Sequence, residues 1–92
     1  MTETEHILTI LAEECAEVAQ RASKAIRFGL HEIQPGQSDD NLRRLEREFS
    51  ELYEVASMLR LKIREEDRIA KREKLKMYMD YAREIGTLTR KE

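Results

Sequence analysis

The sequence feature that most constrains the fold is an unbroken apolar seam between residues 42 and 63. Its members recur three and four residues apart: Leu42, Leu45, Phe49, Leu52, Ala56, Leu59 and Ile63. This spacing places one apolar stripe along an α-helix, and such a stripe needs another helix to cover it in water. The seam therefore predicts a helical bundle.

The composition also favours an all-α chain. The 92 residues include three Gly, one Pro and no Trp, and 39% of them are charged. Few helix breakers combined with abundant Glu, Lys, Arg, Leu and Ala are typical of helical proteins. We interpret residues 1–92 as a single domain, with a core at about 4–64 and a C-terminal helix at about 67–86.

A first helix is predicted from about Thr4 to Phe28, and Gly29 is expected to end it. Its apolar residues form two neighbouring lines, Ile7, Leu11, Val18 and Ala25 on one and Leu8, Cys15, Ala22 and Ile26 on the other. The lone Cys15 has no internal disulfide partner, and its position on the second line predicts a place in the core.

The connection that follows is predicted to be an ordered loop. Proline fixes the second position of a type II turn and glycine tolerates the third, so Pro35 and Gly36 predict such a turn. The second helix is expected to begin near Ser38 or Asp39, which can cap it. Beyond the seam, a bend or a new helix is expected near residues 64–67, although one continuous helix stays open because neither Gly nor Pro occurs there.

A third helical pattern ends at Gly86, and the tail from Thr87 is expected to fray. Its periodic apolar residues are Leu75, Tyr78, Ala82 and Ile85. A single chain of this length buries little interior, so we expect at least a dimer. The predicted architecture is an antiparallel helical hairpin plus a third helix, with two chains forming a four-helix bundle.

Four glutamates stand at matched positions on the first two helices. On a helical wheel, Glu14 and Glu17 lie roughly 80° and 140° from the core line of helix one, and Glu48 and Glu51 lie roughly 70° and 130° from that of helix two, in the same sense. An antiparallel hairpin brings equal offsets to the same side, so the carboxylates should converge. Together they would repel and raise one another's pKa unless a cation sat among them. Hard oxygen ligands favour Mg²⁺, with Mn²⁺ as a substitute.

Basic residues continue the same stripe of helix one through Arg21 and Lys24 towards Phe28. Cations at these positions are suited to binding phosphate oxygens. The alternative is ordinary ion pairing along the helix surface, such as Glu17 with Arg21 at i,i+4. Both interpretations stay open on the sequence alone.

Two stretches resemble the Glu-Glu-x-x-Glu and Glu-x-x-Asp halves of the signature of the MazG-like, all-α nucleoside triphosphate pyrophosphatases. They are "EECAE", residues 13–17, and "EFSE", residues 48–51, and "ASKAIRFGLHEIQPGQ" looks like the helix end and loop of small, often phage-encoded members. The likeness extends from about Ile7 to Leu59. Glu51 departs from the pattern, because the family usually has Asp there.

The resemblance implies a Mg²⁺-dependent enzyme that converts a nucleoside triphosphate to the monophosphate and pyrophosphate. Glu14, Glu17, Glu48 and Glu51 would hold the metal. Glu13 matches the first Glu of the motif, but on the helical wheel it points nearly opposite the core, so we expect it either to support the metal ligands from behind or to lie at the surface. The phosphates would contact Arg21, Lys24 and Arg27, with Lys24 counted among the catalytic residues. Phe28 and Tyr53 are candidates for contacting the base, in a site shared between the subunits of a homodimer or homotetramer.

Several other classes of protein find no support in the sequence. It has no membrane-length apolar run, signal peptide, Gly-rich phosphate loop, nucleophile elbow or zinc pattern, so we expect a cytoplasmic protein, in the host cytoplasm if it is phage-encoded. Residues 60–76 hold eight bases and four acids, which we interpret as a solvated face. Nucleic acid is an unlikely partner, because the chain is acidic overall and aromatics are absent from the basic run. The rival functions are a non-catalytic helical interaction module and an inactive family member.

Overall fold

The computed structural model describes residues 1–89. Within them the chain is all helical and contains no strand, as predicted. The helices are α1, Glu3–Phe28, α2, Asn41–Met58, and α3, Glu65–Glu84. The chain divides into two compact units, one of them Met1–Leu61 with α1 and α2, the other starting at Lys62 and containing α3. The second helix does not continue into the third, so the prediction of a break is confirmed.

Helix α1 has a defined cap at each end. Thr2 Oγ1 accepts a hydrogen bond from the Glu5 N–H at 3.1 Å, and Glu5 Oε1 accepts one from the Thr2 N–H at 3.3 Å. This reciprocal capping box satisfies two amide groups that the helix itself cannot. At the other end the Gly29 N–H donates to Ala25 O at 2.9 Å, with φ at +104°. Gly29 ends the helix as predicted, because a positive φ favours glycine.

The connection between α1 and α2 is ordered by hydrogen bonds. Gln37 N–H donates to Gln34 O at 3.0 Å across a turn in which Gly36 has a φ of +83°. The i to i+3 bond and the positive φ at the third position agree with the predicted type II turn. Helix α2 starts slightly later than predicted, because the side chain that caps it is Asp40, which accepts a hydrogen bond from the Arg43 N–H at 2.8 Å.

Asn41 fastens this connection to the start of α2. Its side-chain amide donates to Gly29 O at 2.8 Å and to Glu32 Oε1 at 2.9 Å. The backbone adds two bonds, Asn41 N–H to Glu32 O and Leu42 N–H to Leu30 O. Asn41 is 2% exposed and is the one fully buried side chain among the described residues. These bonds fix where α2 begins relative to the end of α1.

Helices α1 and α2 form an antiparallel hairpin, since Gly29 meets Asn41 while Glu14 meets Glu48 further along both helices. The seam of this α1–α2 hairpin follows the less exposed positions: Ile7, Leu11, Glu14, Val18, Arg21 and Ala25 on α1, and Leu42, Leu45, Glu48, Leu52, Val55 and Ala56 on α2. No apolar side chain of the described residues is fully buried. One hairpin therefore shields only part of its apolar surface.

The core prediction was wrong for one of the two apolar lines of α1. Cys15 is exposed, and so are the other members of its line, with Leu8 at 47% and Ile26 at 86% exposure. The reason is geometric: α2 covers the line through Leu11 and Val18, and one helix cannot cover both lines. Phe49, predicted as a core residue of α2, is 58% exposed for the same reason.

Helix α2 ends at Met58, before the predicted seam does. Leu61 N–H donates to Ala56 O and Arg60 N–H to Ser57 O, with Arg60 at a φ of +58°. This is the Schellman pattern, in which the left-handed residue is usually glycine. Ile63 consequently lies outside any helix, and no glycine marks the stop.

Helix α3 ends two residues before Gly86, whose φ is +85°. The N–H groups of Thr87 and Leu88 both donate to Ala82 O, at 3.0 and 3.1 Å. The start of the predicted frayed tail is thus bonded to the helix, and residues 90–92 lie outside the described residues. None of the three helices combines the length and apolar character that a membrane span requires.

Asn41→Ala should lower the free energy of unfolding by about 1–3 kcal/mol, because two partly buried hydrogen bonds are lost and Glu32 Oε1 loses its donor. Urea denaturation would measure the change. Gln37→Ala, an exposed amide in the same connection, is the matched control and should change stability by less than about 0.5 kcal/mol. Equal effects of the two substitutions would show that Asn41 does not fasten the loop.

Candidate metal centre

The structure brings together the four glutamates that the sequence predicted to converge. One oxygen from each of Glu14, Glu17, Glu48 and Glu51 lies within 4.8 Å of the others. Each helix contributes a pair spaced i,i+3, so both members of a pair project from neighbouring turns of one face. We call these four side chains the carboxylate cluster.

Two members of the carboxylate cluster lie in the hairpin seam itself. Glu14 and Glu48 are half-buried, and the Oε2 atom of each is buried without a hydrogen-bond partner. The helical wheel predicts that Glu14 lies well to the side of the core. In the structure, Glu14 lies between Leu11 and Val18 on the line of α1 that α2 covers. Glu17 and Glu51 are exposed. The cluster therefore has an inner pair and an outer pair.

The inner carboxyls have raised pKa values. Burial raises the pKa of Glu14, and the charges of Glu17, Glu51 and Glu13 raise it further. Burial is also the largest cause for Glu48, whose pKa is raised further by the neighbouring carboxylates Glu17 and Glu51. Desolvation and like charge both disfavour the ionised form. Bringing these carboxylates together thus has an energetic cost in the metal-free protein.

No basic side chain neutralises the cluster. Within residues 1–89, none of the four carboxylates forms an ion pair with Lys, Arg or His. The surface pair of Glu17 with Arg21, one of the two sequence interpretations, is therefore absent. Sequence analysis did not single out Arg47. Its guanidinium pairs with Asp39 at 2.6 Å, and this hydrogen bond and the charge of Asp39 raise its pKa. The charges of Glu51 and Glu48 raise that pKa further. The i,i+4 spacing of Arg47 and Glu51 is the sequence pattern that could have indicated that Arg47 lies near the cluster.

The predicted phosphate-binding residues fall into two groups. Arg21 and Lys24 are half-buried, and Arg21 Nη1 is buried without a partner. Arg21 follows Glu14 by seven residues, so both lie on the seam side of α1. Arg27 is exposed and places its guanidinium 4.9 Å from the centre of the Phe28 ring, a cation–π contact.

The predicted base-contacting residues are open to solvent in the single chain. Phe28 is 45% exposed and Tyr53 is 54% exposed. The structure does not bring either of them into the carboxylate cluster.

The donor set of the cluster fits a hard divalent cation. It offers carboxylate oxygens alone, and two of them are buried without a donor. Mg²⁺ and Mn²⁺ prefer such oxygen ligands, and their charge offsets the repulsion that raises the pKa values. The residues present therefore fit the metal that the resemblance implies.

Comparison with known proteins adds no further information on this site. No protein-family model matches the chain, and no curated protein or solved structure matches it.

The raised pKa values predict an unusual pH dependence of the metal-free protein. A carboxyl with a raised folded-state pKa contributes stability below its ordinary value of 4.5, and that contribution is lost as pH rises through the folded-state value. In chelator, the melting temperature should therefore rise as the pH is lowered from 7 towards 4.5.

Glu48→Gln should reproduce part of this stabilisation at pH 7 and flatten the pH dependence, whereas Glu46→Gln, an exposed neighbour, should do neither. The measurement stays above pH 4.5, because the pKa of Asp40 is lowered by the Arg43 N–H and by His31, and its stabilising contribution disappears at lower pH. A melting temperature that falls steadily from pH 7 to 5 in wild type would contradict the predicted repulsion.

Proposed function

We propose that the protein is a Mg²⁺-dependent nucleoside triphosphate pyrophosphohydrolase, which converts a ribo- or deoxynucleoside triphosphate and water to the monophosphate and pyrophosphate. Its role would be the control or clean-up of nucleotide pools. The observation that carries the proposal is the carboxylate cluster, in which one oxygen from each glutamate lies within 4.8 Å of the others and in which Glu14 and Glu48 each have a buried, unpaired Oε2. The resemblance of residues 13–17 and 48–51 to the MazG-like signature gives this cluster its proposed chemistry.

Each pair of glutamates has a distinct part in the proposed site. Glu14 and Glu48 are held by the packing of the seam around them, so their carboxylates are positioned before any ligand arrives. Glu17 and Glu51 lie on the exposed side, where a triphosphate can approach. A divalent cation bound by these residues would offset the charge of the phosphates and lower the pKa of an attacking water. Glu51 carries its carboxylate one methylene further from the backbone than the usual Asp.

The basic residues of α1 would bind the phosphates. Arg21 has a guanidinium nitrogen that is already desolvated and unpaired, so a phosphate oxygen would satisfy it without displacing a protein partner. Lys24, one turn further on, would stabilise charge on the departing pyrophosphate. Arg27 and Phe28, stacked at the end of α1, would lie towards the nucleoside, together with Tyr53.

The exposed apolar surface supports an oligomeric enzyme. No apolar side chain of the described residues is fully buried, while Ile26, Phe49 and Tyr53 are more than half exposed. Surface of this kind on a small helical protein is typical of a subunit interface. We propose that two α1–α2 hairpins form a four-helix bundle in a homodimer, and that a homotetramer would form by the pairing of two such dimers.

The same exposed surface also supports the rival function, a non-catalytic helical interaction module. The two functions differ at the carboxylate cluster, because an interaction module has no use for bound metal. Metal binding and catalysis therefore separate them.

Millimolar Mg²⁺ should raise the melting temperature of the wild-type protein, because a ligand that binds only the folded state stabilises it. The same Mg²⁺ should support pyrophosphate release from at least one member of a panel of ribo- and deoxynucleoside triphosphates. Glu48→Gln should abolish the thermal shift and lower kcat by about 100-fold or more. Glu46→Gln is the matched control on the same helix and should leave both unchanged. A Glu48→Gln variant that is folded and fully active with Mg²⁺ would exclude this site.

Ile26→Glu should weaken the homodimer, because it places a charge in the exposed apolar line of α1. Sedimentation velocity should show wild-type dimers or tetramers and a shift towards monomer in the variant. Gln20→Glu, which adds the same charge at an exposed polar position of α1, should keep the wild-type assembly. A wild-type protein that is monomeric at high concentration would rule out the shared site.

A further inference from the structure

The unit that contains α3 has a cleft of its own, some distance along the chain from the carboxylate cluster. Its volume is about 480 Å³, and it is open to solvent because all the residues that line it are exposed. Five basic side chains and one acidic one line it: Lys62, Arg64, Arg68, Lys71, Arg72 and Asp67. We call it the basic cleft. Ile63 and Leu75 supply the apolar part of its wall.

The cleft forms because α3 repeats its basic residues on one face. Arg64, Arg68, Lys71 and Arg72 recur three and four positions apart, which places them on neighbouring turns. They extend over nine residues, from the N-cap Arg64 to Arg72, which is about 12 Å along the helix axis. Lys62 reaches the same cleft from the segment that precedes α3. The spacing thus gathers positive charge on a short stretch of surface.

The bases of the cleft differ from those further along α3 in having no partners. Lys76 and Arg83 both pair with Asp80, at 3.1 and 3.5 Å. In contrast, none of the five cleft bases forms an ion pair within residues 1–89. Like charges held close together repel, and an anion of matching charge would relieve that repulsion.

We propose that the basic cleft binds a compact oligophosphate anion, such as the triphosphate group of a nucleotide or free tripolyphosphate. Five cations facing one carboxylate suit an anion with several adjacent negative charges, and arginine binds phosphate oxygens through paired N–H groups. A single-stranded nucleic acid is a poorer match, because no aromatic side chain lines the cleft for base stacking. This site requires no metal, and it is independent of the proposed pyrophosphohydrolase activity.

Titration calorimetry of the full chain with sodium tripolyphosphate tests the proposal. The buffer contains chelator, so that the metal-free carboxylate cluster repels the anion and the basic cleft is the site measured. One tripolyphosphate should bind per chain. The double variant Arg68→Gln with Lys71→Gln should weaken binding by about tenfold or more. Its matched control, Lys74→Gln with Lys76→Gln, removes the same charge from α3 outside the cleft and should change affinity by less than about twofold.

Three further readings make the result specific to the cleft. Amide resonances that shift on titration should fall within residues 62–75, circular dichroism should show that all variants keep their helix content, and Glu48→Gln should bind tripolyphosphate as wild type does. Absence of binding, equal loss in both double variants, or equal competition by sulfate at matched ionic strength would overturn the proposal. Tighter binding of an oligonucleotide than of tripolyphosphate at equal phosphate concentration would overturn it in favour of nucleic acid.

Discussion

The repulsion among carboxylates in the seam of the α1–α2 hairpin is the constraint on which the rest of this structure depends. Glu14 and Glu48 are half-buried in the seam between apolar side chains, and each has a buried oxygen without a donor. Polar groups buried in this way destabilise a fold unless a ligand satisfies them. The two helices must therefore be held together by contacts on either side of the cluster.

Those contacts come from the seam residues beyond the cluster and from the loop end of the hairpin. Asn41 joins the first turn of α2 to Gly29 and Glu32 by two side-chain hydrogen bonds. By setting where α2 starts, these bonds also set which turn of α2 faces Glu14. The hydrogen bonds of Asn41 thus stabilise the hairpin and fix the register of α2 against α1. In this way the loop contributes to the geometry of the carboxylate cluster, although the loop is distant from it.

The sequence predicts most of the fold and the membership of the cluster, because both follow from periodicity. Helix α1, its stop at Gly29 and the turn at Gly36 carry strong local signals. The end of α2 does not, because Arg60 takes the left-handed position that glycine usually occupies. The helical wheel also does not predict which apolar line of α1 is covered. Cys15 and Val18 are both apolar but belong to different lines, and the position of α2 determines which line is covered. The same limit hid the position of Glu14 in the seam.

The ion pairs among residues 1–89 leave two groups of like charge, the carboxylate cluster and the basic cleft, without partners. The four ion pairs among residues 1–89 involve the acids Asp39, Asp40 and Asp80, so bases do pair where acids lie within reach. Yet the carboxylate cluster contains no base, and the basic cleft contains one acid among five bases. Surface charges selected only for solubility would be mixed in sign, because mixing lowers the electrostatic energy of the folded chain. The acid gathered in the carboxylate cluster and the base gathered in the basic cleft would each suit a ligand of opposite charge.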